Sequence, residues 1–209
     1  CRRLLEDRTF DVLMATGYGR HHAQANYADS TITEIKAFAL GCHRLFPECR
    51  TILDIGGQDT KAISLAPDGK VADFQMNDRC AAGTGKFLEV MAAAMGLTIE
   101  EMGLIALETE AEIKISSMCT VFAESEVTGL IARGTPRPEI ARGLHEAICD
   151  RAVSLLKRVG VAREVVFAGG VAYNPCLRNL LEGRLGLPLS VPENPQLVGA
   201  MGAALSALQ

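Results

Sequence analysis

The fold is decided by residues 51–77, which read TILDIGGQDTKAISLAPDGKVADFQMN. The stretch holds three short runs rich in apolar and β-branched residues, and turn-forming residues separate them. Two glycines and polar residues follow the first run, and Pro67, Asp68 and Gly69 follow the second. Runs of this length between turn signals predict three successive strands in hairpin order.

The sequence on both sides alternates between helical and strand patterns. Capping residues and glycines mark the ends of the segments with helical periodicity, whereas the predicted strands are short apolar runs. The predicted strands are a buried one at 9–16, a buried one within 163–172 that runs into a glycine turn, and one at 187–192. The predicted helices lie at 31–46 with a capping box at Thr31–Glu34, at 83–95, from Thr98 with a second capping box, from 119 to Gly134, from Pro138 to Val159, after Asn174 and at 196–208. This order predicts an α/β protein.

Composition excludes several classes of protein. The chain has 209 residues, of which 48% are apolar and 22% charged, so a folded core is expected and disorder is excluded. No apolar run is long enough to cross a bilayer, so we expect no membrane partner. The 21 lysines and arginines are spread along the sequence and are outnumbered by 25 acidic residues, which argues against a nucleic-acid partner.

The number of cysteines and the identity of the first residue predict the cellular compartment of the protein and whether the sequence is a fragment. The seven cysteines are an odd number without a secretory signal, which is typical of a reducing compartment and predicts a cytoplasmic protein. The sequence starts at Cys1 in mid-pattern, where a natural chain would start with Met. We therefore interpret it as a fragment that lacks N-terminal residues.

Two predicted strands end in paired glycines. In DIGGQDTK, residues 54–61, Asp54 ends a strand and Gly56 and Gly57 follow. Backbone amides at such glycines can approach a phosphate while the acid holds Mg²⁺ through water. FAGGVAYN, residues 167–174, repeats the glycine pair before a capped helix, a shape suited to an adenosine. Taken alone, each motif fits a tight turn without a ligand equally well.

The string CAAGTGKF, residues 80–87, looks like a P-loop, but we reject that interpretation. Cys80 stands where the first glycine belongs, and Phe87 stands where a Ser or Thr would hold the metal. Cys80 and Cys119 instead each precede a predicted helix, whose N-terminus would stabilise a thiolate or an anionic metal-sulfide cluster. A [4Fe-4S] cluster usually needs four thiolates, so a symmetric dimer would supply the other two.

We expect the other cysteines and the histidines to have structural roles rather than to bind a metal. We assign the other internal cysteines to packing and the histidines, which fit no zinc spacing, to the surface or the core; these are Cys42, Cys49, Cys149, Cys176, His21, His22, His43 and His145. Glu124 and Glu126 follow Cys119 on one predicted helix. They either line a solvated face, or contact a nucleotide or tune the site.

Four motifs together resemble one ATPase family. DIGGQDTK, MNDRCAAGTGKFLEVMA, ISSMCTVFAESEV and FAGGVAYN, in that order, are similar to the family of 2-hydroxyacyl-CoA dehydratase activators and benzoyl-CoA reductase ATPase subunits, and ATGYGR at 15–20 resembles a segment upstream of them. The resemblance implies an actin/hexokinase-like (ribonuclease H-like) fold with ATP between two lobes. It also implies a homodimer that shares one [4Fe-4S] cluster, takes electrons from reduced ferredoxin or flavodoxin and passes them to an acceptor dehydratase or reductase.

The resemblance assigns roles to particular residues. It places Cys80 and Cys119 as cluster ligands and Asp54, Gln58 and Glu124 in catalysis. The residues that would hold ATP or ADP with Mg²⁺ are Gly56, Gly57, Asp59, Thr60 and Lys61 in the phosphate loop, and Gly169, Gly170 and Val171 in the adenosine loop. Gln58 favours the dehydratase activators within the family.

The resemblance also predicts how the chain divides. Family members begin with a hairpin carrying an Asp-Gly-Ser-Thr-Thr type loop, and no such string occurs here. We therefore expect residues 1–50 to be a remnant of the first lobe and 51–209 to be the second lobe, with the last helix packing back on the first. Two other functions stay open: a small-molecule kinase of the same superfold without a cluster, and a non-catalytic binding protein.

Overall fold

The structure is a computed structural model that describes residues 5, 9–78, 80–111, 113–115 and 119–208. Its regular elements, in chain order, are β1 (Met14–Ala15), α1 (Arg20–Asn26), β2 (Ser30–Thr31), α2 (Glu34–Leu45), β3 (Thr51–Ile55), β4 (Thr60–Leu65), β5 (Val71–Asn77), α3 (Gly85–Ala94), α4 (Ile99–Ile105), α5 (Thr120–Ala132), α6 (Arg137–Val159), β6 (Val165–Ala168), a 3₁₀ turn (Gly170–Tyr173), α7 (Pro175–Leu185), β7 (Leu189–Ser190) and α8 (Val198–Ser206). This order confirms the predicted α/β class.

The central feature is a mixed sheet in the order β5-β4-β3-β6-β7. Strands β3, β4 and β5 form an antiparallel meander, as the pattern of residues 51–77 predicted. The turn at Pro67–Gly69 closes with a hydrogen bond from Gly69 N to Ala66 O at 2.9 Å. β6 then pairs in parallel with β3, and β7 pairs in parallel with β6.

Both faces of the sheet are covered because strand side chains alternate in direction. Leu53 and Ile55 of β3 pack into a core with α3 to α7 on one face, whereas Ile52 packs under α2 and α8 on the other. All three side chains are fully buried. Burying a side chain of this kind stabilises the fold by about 1.5–3 kcal/mol, so the sheet joins two apolar layers.

Small residues bring α2 and α8 into close contact. A methyl group on Gly202 of α8 would overlap the carbonyl oxygen of Ala37 in α2, and one on Gly41 would overlap that of Val198. The predicted last helix therefore packs against a helix from within residues 1–50. The division of the chain into lobes at residue 50 remains a prediction.

Two local predictions need correction. The predicted buried strand at 9–16 is a pair of residues, β1, and the side chains of Phe10 and Val12 are each 49% exposed. Among the described residues β1 pairs only with β2, so most of the run finds no sheet to cover it. Helix α2 begins at Glu34 with Thr33 as its cap, because Thr31 is already paired with Ala15 in the small sheet.

Other helix boundaries follow their predicted caps. Thr98 and Glu101 form the capping box that opens α4, and Asn174 Oδ1 accepts a hydrogen bond from Leu177 N to open α7. Such caps satisfy backbone amides that have no partner within the helix. Among the described helices, none combines the length and the apolarity that crossing a membrane requires.

Candidate active site

Two glycine turns meet at one edge of the sheet. β3 and β6 run in parallel with Asp54 opposite Ala168, so the turns that follow them lie side by side. Gly169 has a φ of +83°, and a methyl group there would overlap both Asp54 Oδ1 and Ile55 O. Only glycine fits this backbone angle and this space. The structure thus brings the two predicted loops together.

The start of helix α3 joins the same edge. Gly85 N donates to Gly56 O at 2.8 Å, and Lys86 N donates to Gly57 O at 2.9 Å. A methyl group on Gly85 would lie 3.2 Å from both Gly56 O and Val171 Cγ2, so the helix end sits close against both loops. Sequence reasoning missed Gly85 as a site residue, because the GTGK string that contains it was interpreted as a rejected P-loop and as the start of a helix behind Cys80.

A cavity of about 520 Å³ opens between these elements. Its lining combines three of the predicted nucleotide residues, Gly57, Gly170 and Val171, with others that the sequence did not single out, namely Gly85, Leu88, Glu89, Ile99, Glu100, Leu104, Tyr173, Asn174, Pro175 and Gln196. The volume falls in the range of small-molecule sites. The N-termini of α3 and α7 border the cavity, and helix N-termini favour anionic groups.

Asp59 and Lys61 of the predicted phosphate loop belong to a buried ion-pair group. The Lys61 ammonium donates to Asp59 Oδ1 at 2.5 Å and to Asp54 Oδ2 at 3.1 Å. Its third carboxylate partner is Glu34 at the start of α2, at 3.3 Å. Lys61 is 1% exposed and is not among the residues that line the cavity.

Burial and charge shift the pKa values in this group. Burial raises the pKa of Asp54 to about 6, although the neighbouring Lys61 ammonium lowers it. Burial also lowers the pKa of Lys61, but the three carboxylates around it raise that pKa overall above its usual value. Lys61 therefore stays charged at neutral pH.

The same carboxylates fit a divalent cation. One oxygen from each of Glu34, Asp54 and Asp59 lies within 4.8 Å of the others. Asp54 Oδ1 is buried and has no hydrogen-bond partner among the described residues, so one lone-pair face of this group is unused. Carboxylate oxygens are the ligands that Mg²⁺ prefers.

The two predicted cluster cysteines differ from the others that the structure describes. Cys80 and Cys119 are exposed, whereas Cys42, Cys49, Cys149 and Cys176 are buried. Cys119 is the N-cap residue of α5, and its side chain makes no capping hydrogen bond. The buried cysteines have raised pKa values, chiefly through desolvation, as expected for packing residues.

The loop that carries Cys80 is fastened to the phosphate-loop strands. Asn77 at the end of β5 donates to the carbonyl oxygens of Cys80 and Ala82, each at 3.1 Å. Thr60 at the start of β4 donates to Gly83 O at 2.7 Å. The predicted ligand Thr60 therefore uses its hydroxyl to hold this loop.

The sequence matches the BadF/BadG/BcrA/BcrD ATPase family over residues 3–207. The chain belongs to this ATPase family. The 2-hydroxyisocaproyl-CoA dehydratase activator of Clostridioides difficile is 45% identical over 197 residues, covering 93% of this chain and 73% of that protein. A benzoyl-CoA reductase subunit of Thauera aromatica is 34% identical over 202 residues, covering 93% and 70% respectively. The predicted resemblance is confirmed.

A solved structure agrees with this assignment to the ATPase family. The activator of the 2-hydroxyisocaproyl-CoA dehydratase from Clostridium difficile with bound ADPNP superposes with a TM-score of 0.90 at 43% identity. The match covers 97% of this chain and 74% of that one. The predicted actin/hexokinase-like fold is confirmed by this match and by other solved structures.

The remaining residues with predicted roles lie apart from the cavity lining of this ATPase-family chain. Gln58 is exposed in the phosphate loop. Glu124 is exposed on α5 and is not among the described residues that line the cavity. Asp59 is buried, and Tyr18, from the ATGYGR segment, donates to its Oδ2 at 3.2 Å.

A buried histidine supports the part of the cavity lined by Asn174. His145 Nδ1 lies 2.7 Å from Ala141 O, which can only accept, so this nitrogen carries the proton. Nε2 then accepts from Asn174 Nδ2 at 2.9 Å, and this fixes the orientation of the cavity residue Asn174. Sequence reasoning treated His145 as an ordinary surface or core histidine.

His145 predicts a pH dependence of stability. Desolvation lowers its pKa to about 4, whereas an unfolded histidine titrates near 6.5. Between these values only the unfolded chain binds the proton, so stability falls as the pH falls. We expect this group to lower the free energy of unfolding by about 3 kcal/mol between pH 7 and pH 4.

Urea unfolding at a series of pH values would measure this effect. The His145→Gln variant should show a loss between pH 7 and pH 4 that is smaller by about 3 kcal/mol than in the unaltered protein. Parallel stability curves for the two proteins would contradict the prediction. His22→Gln, at an exposed position, is the matched control.

Proposed function

We propose that this chain binds ATP and couples its hydrolysis to the transfer of a low-potential electron. The acceptor would be a 2-hydroxyacyl-CoA dehydratase or a related CoA-ester reductase, in line with the names of the relatives. One observation carries the proposal: the loop of the exposed Cys80 leads into α3, which is hydrogen-bonded to the phosphate loop, and the exposed Cys119 begins α5, which packs against α3.

The nucleotide part rests on the meeting of the two glycine loops. Gly57, Gly170 and Val171 line a cavity large enough for a nucleotide, and a relative with the same fold binds ADPNP. In this proposal the backbone at Gly56 and Gly57 approaches the phosphates. Asp54 and Asp59 offer oxygen ligands for Mg²⁺, which when bound would neutralise phosphate charge. Gln58, exposed on the same loop, would orient the attacking water.

The redox part rests on Cys80 and Cys119. Two exposed thiols are half of the ligand set of a [4Fe-4S] cluster, so a second copy of the chain would complete it. Such a cluster supplies one-electron chemistry when bound. The N-terminus of α5, directly behind Cys119, stabilises a thiolate at that position. Reduced ferredoxin or flavodoxin would be the electron source.

The two parts share a backbone connection. Gly85 and Lys86 at the start of α3 are hydrogen-bonded to Gly56 and Gly57, and the Cys80 loop leads directly into this helix. α3 also packs against α5, which begins at Cys119. A displacement of the phosphate loop would therefore move both cysteine-bearing helix starts. Glu124 on α5 would lie near the redox end of this connection and tune it.

Iron and sulfide analysis after anaerobic reconstitution tests this function. We expect about four irons per dimer in the unaltered protein and essentially none in Cys80→Ala or Cys119→Ala, because each removes two of four thiolates from the dimer. Both variants should keep their affinity for ADP, since neither cysteine lines the cavity.

The buried Cys176 provides the matched control. Cys176→Ala should retain the iron of the unaltered protein, because this thiol packs in the core. Iron that survives in Cys119→Ala would refute the ligand assignment. An iron-free protein that phosphorylates a metabolite would support the kinase alternative instead.

A further inference from the structure

Lys61 occupies an unusual place for a lysine. Its side chain is 1% exposed, although lysine is rarely buried without a partner. Its nitrogen contacts three carboxylates, those of Glu34, Asp54 and Asp59. An isolated ammonium could not remain charged there, so these contacts explain its burial.

The charges in this group do not balance. Three carboxylates face one ammonium, and Asp54 Oδ1 has no hydrogen-bond partner among the described residues. The group therefore has capacity for further positive charge. A divalent cation bound with a nucleotide would supply that charge at the phosphate-loop side, where Asp54 and Asp59 lie.

Helix α2 contributes two of the groups around the Lys61 nitrogen. Glu34 is the first residue of this helix, and its side chain is 27% exposed. The ring of Phe38, one turn further along, lies 5.9 Å from the Lys61 nitrogen, close enough for a cation–π contact. Both groups lie on α2, whereas the two aspartates belong to the predicted phosphate loop. Together they can hold the ammonium when the two aspartates bind another cation.

We propose that Lys61 is an internal cation which Asp54 and Asp59 share until a divalent cation binds with the nucleotide, and which Glu34 holds thereafter. The proposal rests on the nucleotide site proposed above. Two cations near the same carboxylates repel each other, so Lys61 moves toward Glu34 when the second one binds. Glu34 is thus a positioning residue for metal binding, although it does not line the cavity.

The affinity for ADP with and without magnesium tests this role. Isothermal titration would measure the Kd for ADP in excess Mg²⁺ and in EDTA, for the unaltered protein and for Glu34→Gln. We expect Glu34→Gln to raise the Kd in Mg²⁺ about tenfold, within the usual range of coupling between sites. In EDTA the Kd should stay within about twofold, because Lys61 then remains on the aspartates.

Two further variants make the test specific. Glu34→Asp keeps the charge and should restore most of the effect of magnesium. Glu146→Gln is the matched control: its half-buried carboxylate also pairs with two cations, Arg142 and Arg184, but does not line the cavity. It should leave both affinities unchanged.

The remaining outcomes separate the two proposals. An equal rise of the Kd in Mg²⁺ and in EDTA would show that Glu34 has only a structural role, and would overturn the inference. An unchanged Kd in both buffers would overturn it as well, as would a Glu34→Gln protein whose ADP affinity depends on magnesium as in the unaltered protein. Failure of the unaltered, folded protein to bind ADP in either buffer would instead refute the proposed nucleotide site.

Discussion

Replacing Gly169 with alanine is expected to lower the free energy of unfolding by about 4 kcal/mol and to abolish nucleotide binding. Two effects add at this position. The backbone has a φ of +83°, which costs alanine about 1–2 kcal/mol. The new methyl group would also overlap Asp54 Oδ1 and Ile55 O, so the predicted adenosine loop at Gly169 would have to move away from the predicted phosphate loop.

Gly186→Ala separates the two effects. Gly186 also has a positive φ, +64°, but a methyl group there would meet no atom within 4 Å. We expect this variant to lose only about 1 kcal/mol and to keep its ADP affinity. Urea unfolding and ADP titration of both variants measure the difference. Equal losses in the two variants would show that the contact between the loops is not tight.

The second large effect is expected at Gly202, where α8 crosses α2. Gly202→Ala would drive a methyl group into Ala37 O, and a backbone oxygen within a helix cannot turn aside. The two helices would have to separate over the face of the sheet that they cover. We expect a loss of about 4 kcal/mol, which corresponds to a drop of about 10 °C in Tm.

Gly183→Ala is the matched control for this variant. Gly183 is also helical, in α7, but it is exposed and a methyl group there would meet no atom within 4 Å. Alanine favours a helix over glycine by about 1 kcal/mol, so this variant should be more stable than the unaltered protein. Opposite signs for the two substitutions would confirm that helix contact, rather than helix propensity, decides the outcome at Gly202.

Local signals predicted much of this fold correctly. The meander at 51–77 follows from turn residues that act over a few positions, and the caps at Thr98 and Asn174 act within one helical turn. The separation of exposed from buried cysteines followed from their immediate surroundings, since Cys80 and Cys119 stand among polar residues and glycines.

Long-range contacts were not predictable in the same way. The sequence placed Lys61 among the predicted nucleotide-binding residues, and only the folded chain brings Glu34 to Lys61 and buries it. Likewise, no sequence spacing joins His145 to Asn174. Such contacts depend on how distant elements pack, which periodicity does not specify.

The apolar residues of α5 also show that a sequence pattern does not specify which side chains are buried. The helix forms where predicted, but Val121 and Phe122 are 68% and 66% exposed, whereas the buried positions are Ala123 and Val127. An apolar residue signals burial only when a neighbouring element covers it. Among the described residues, no element covers this part of the helix.

The order in which the chain is synthesised determines when the parts of the site can come together. β3 to β5 are contiguous and can pair as soon as they leave the ribosome, whereas β6 and α8 are translated much later. Until then Asp54 has no neighbouring Gly169 turn, and the cavity lacks one wall. A nascent or truncated chain would thus contain the paired strands β3 to β5 but would not bind a nucleotide. Nucleotide binding would therefore report that folding is complete.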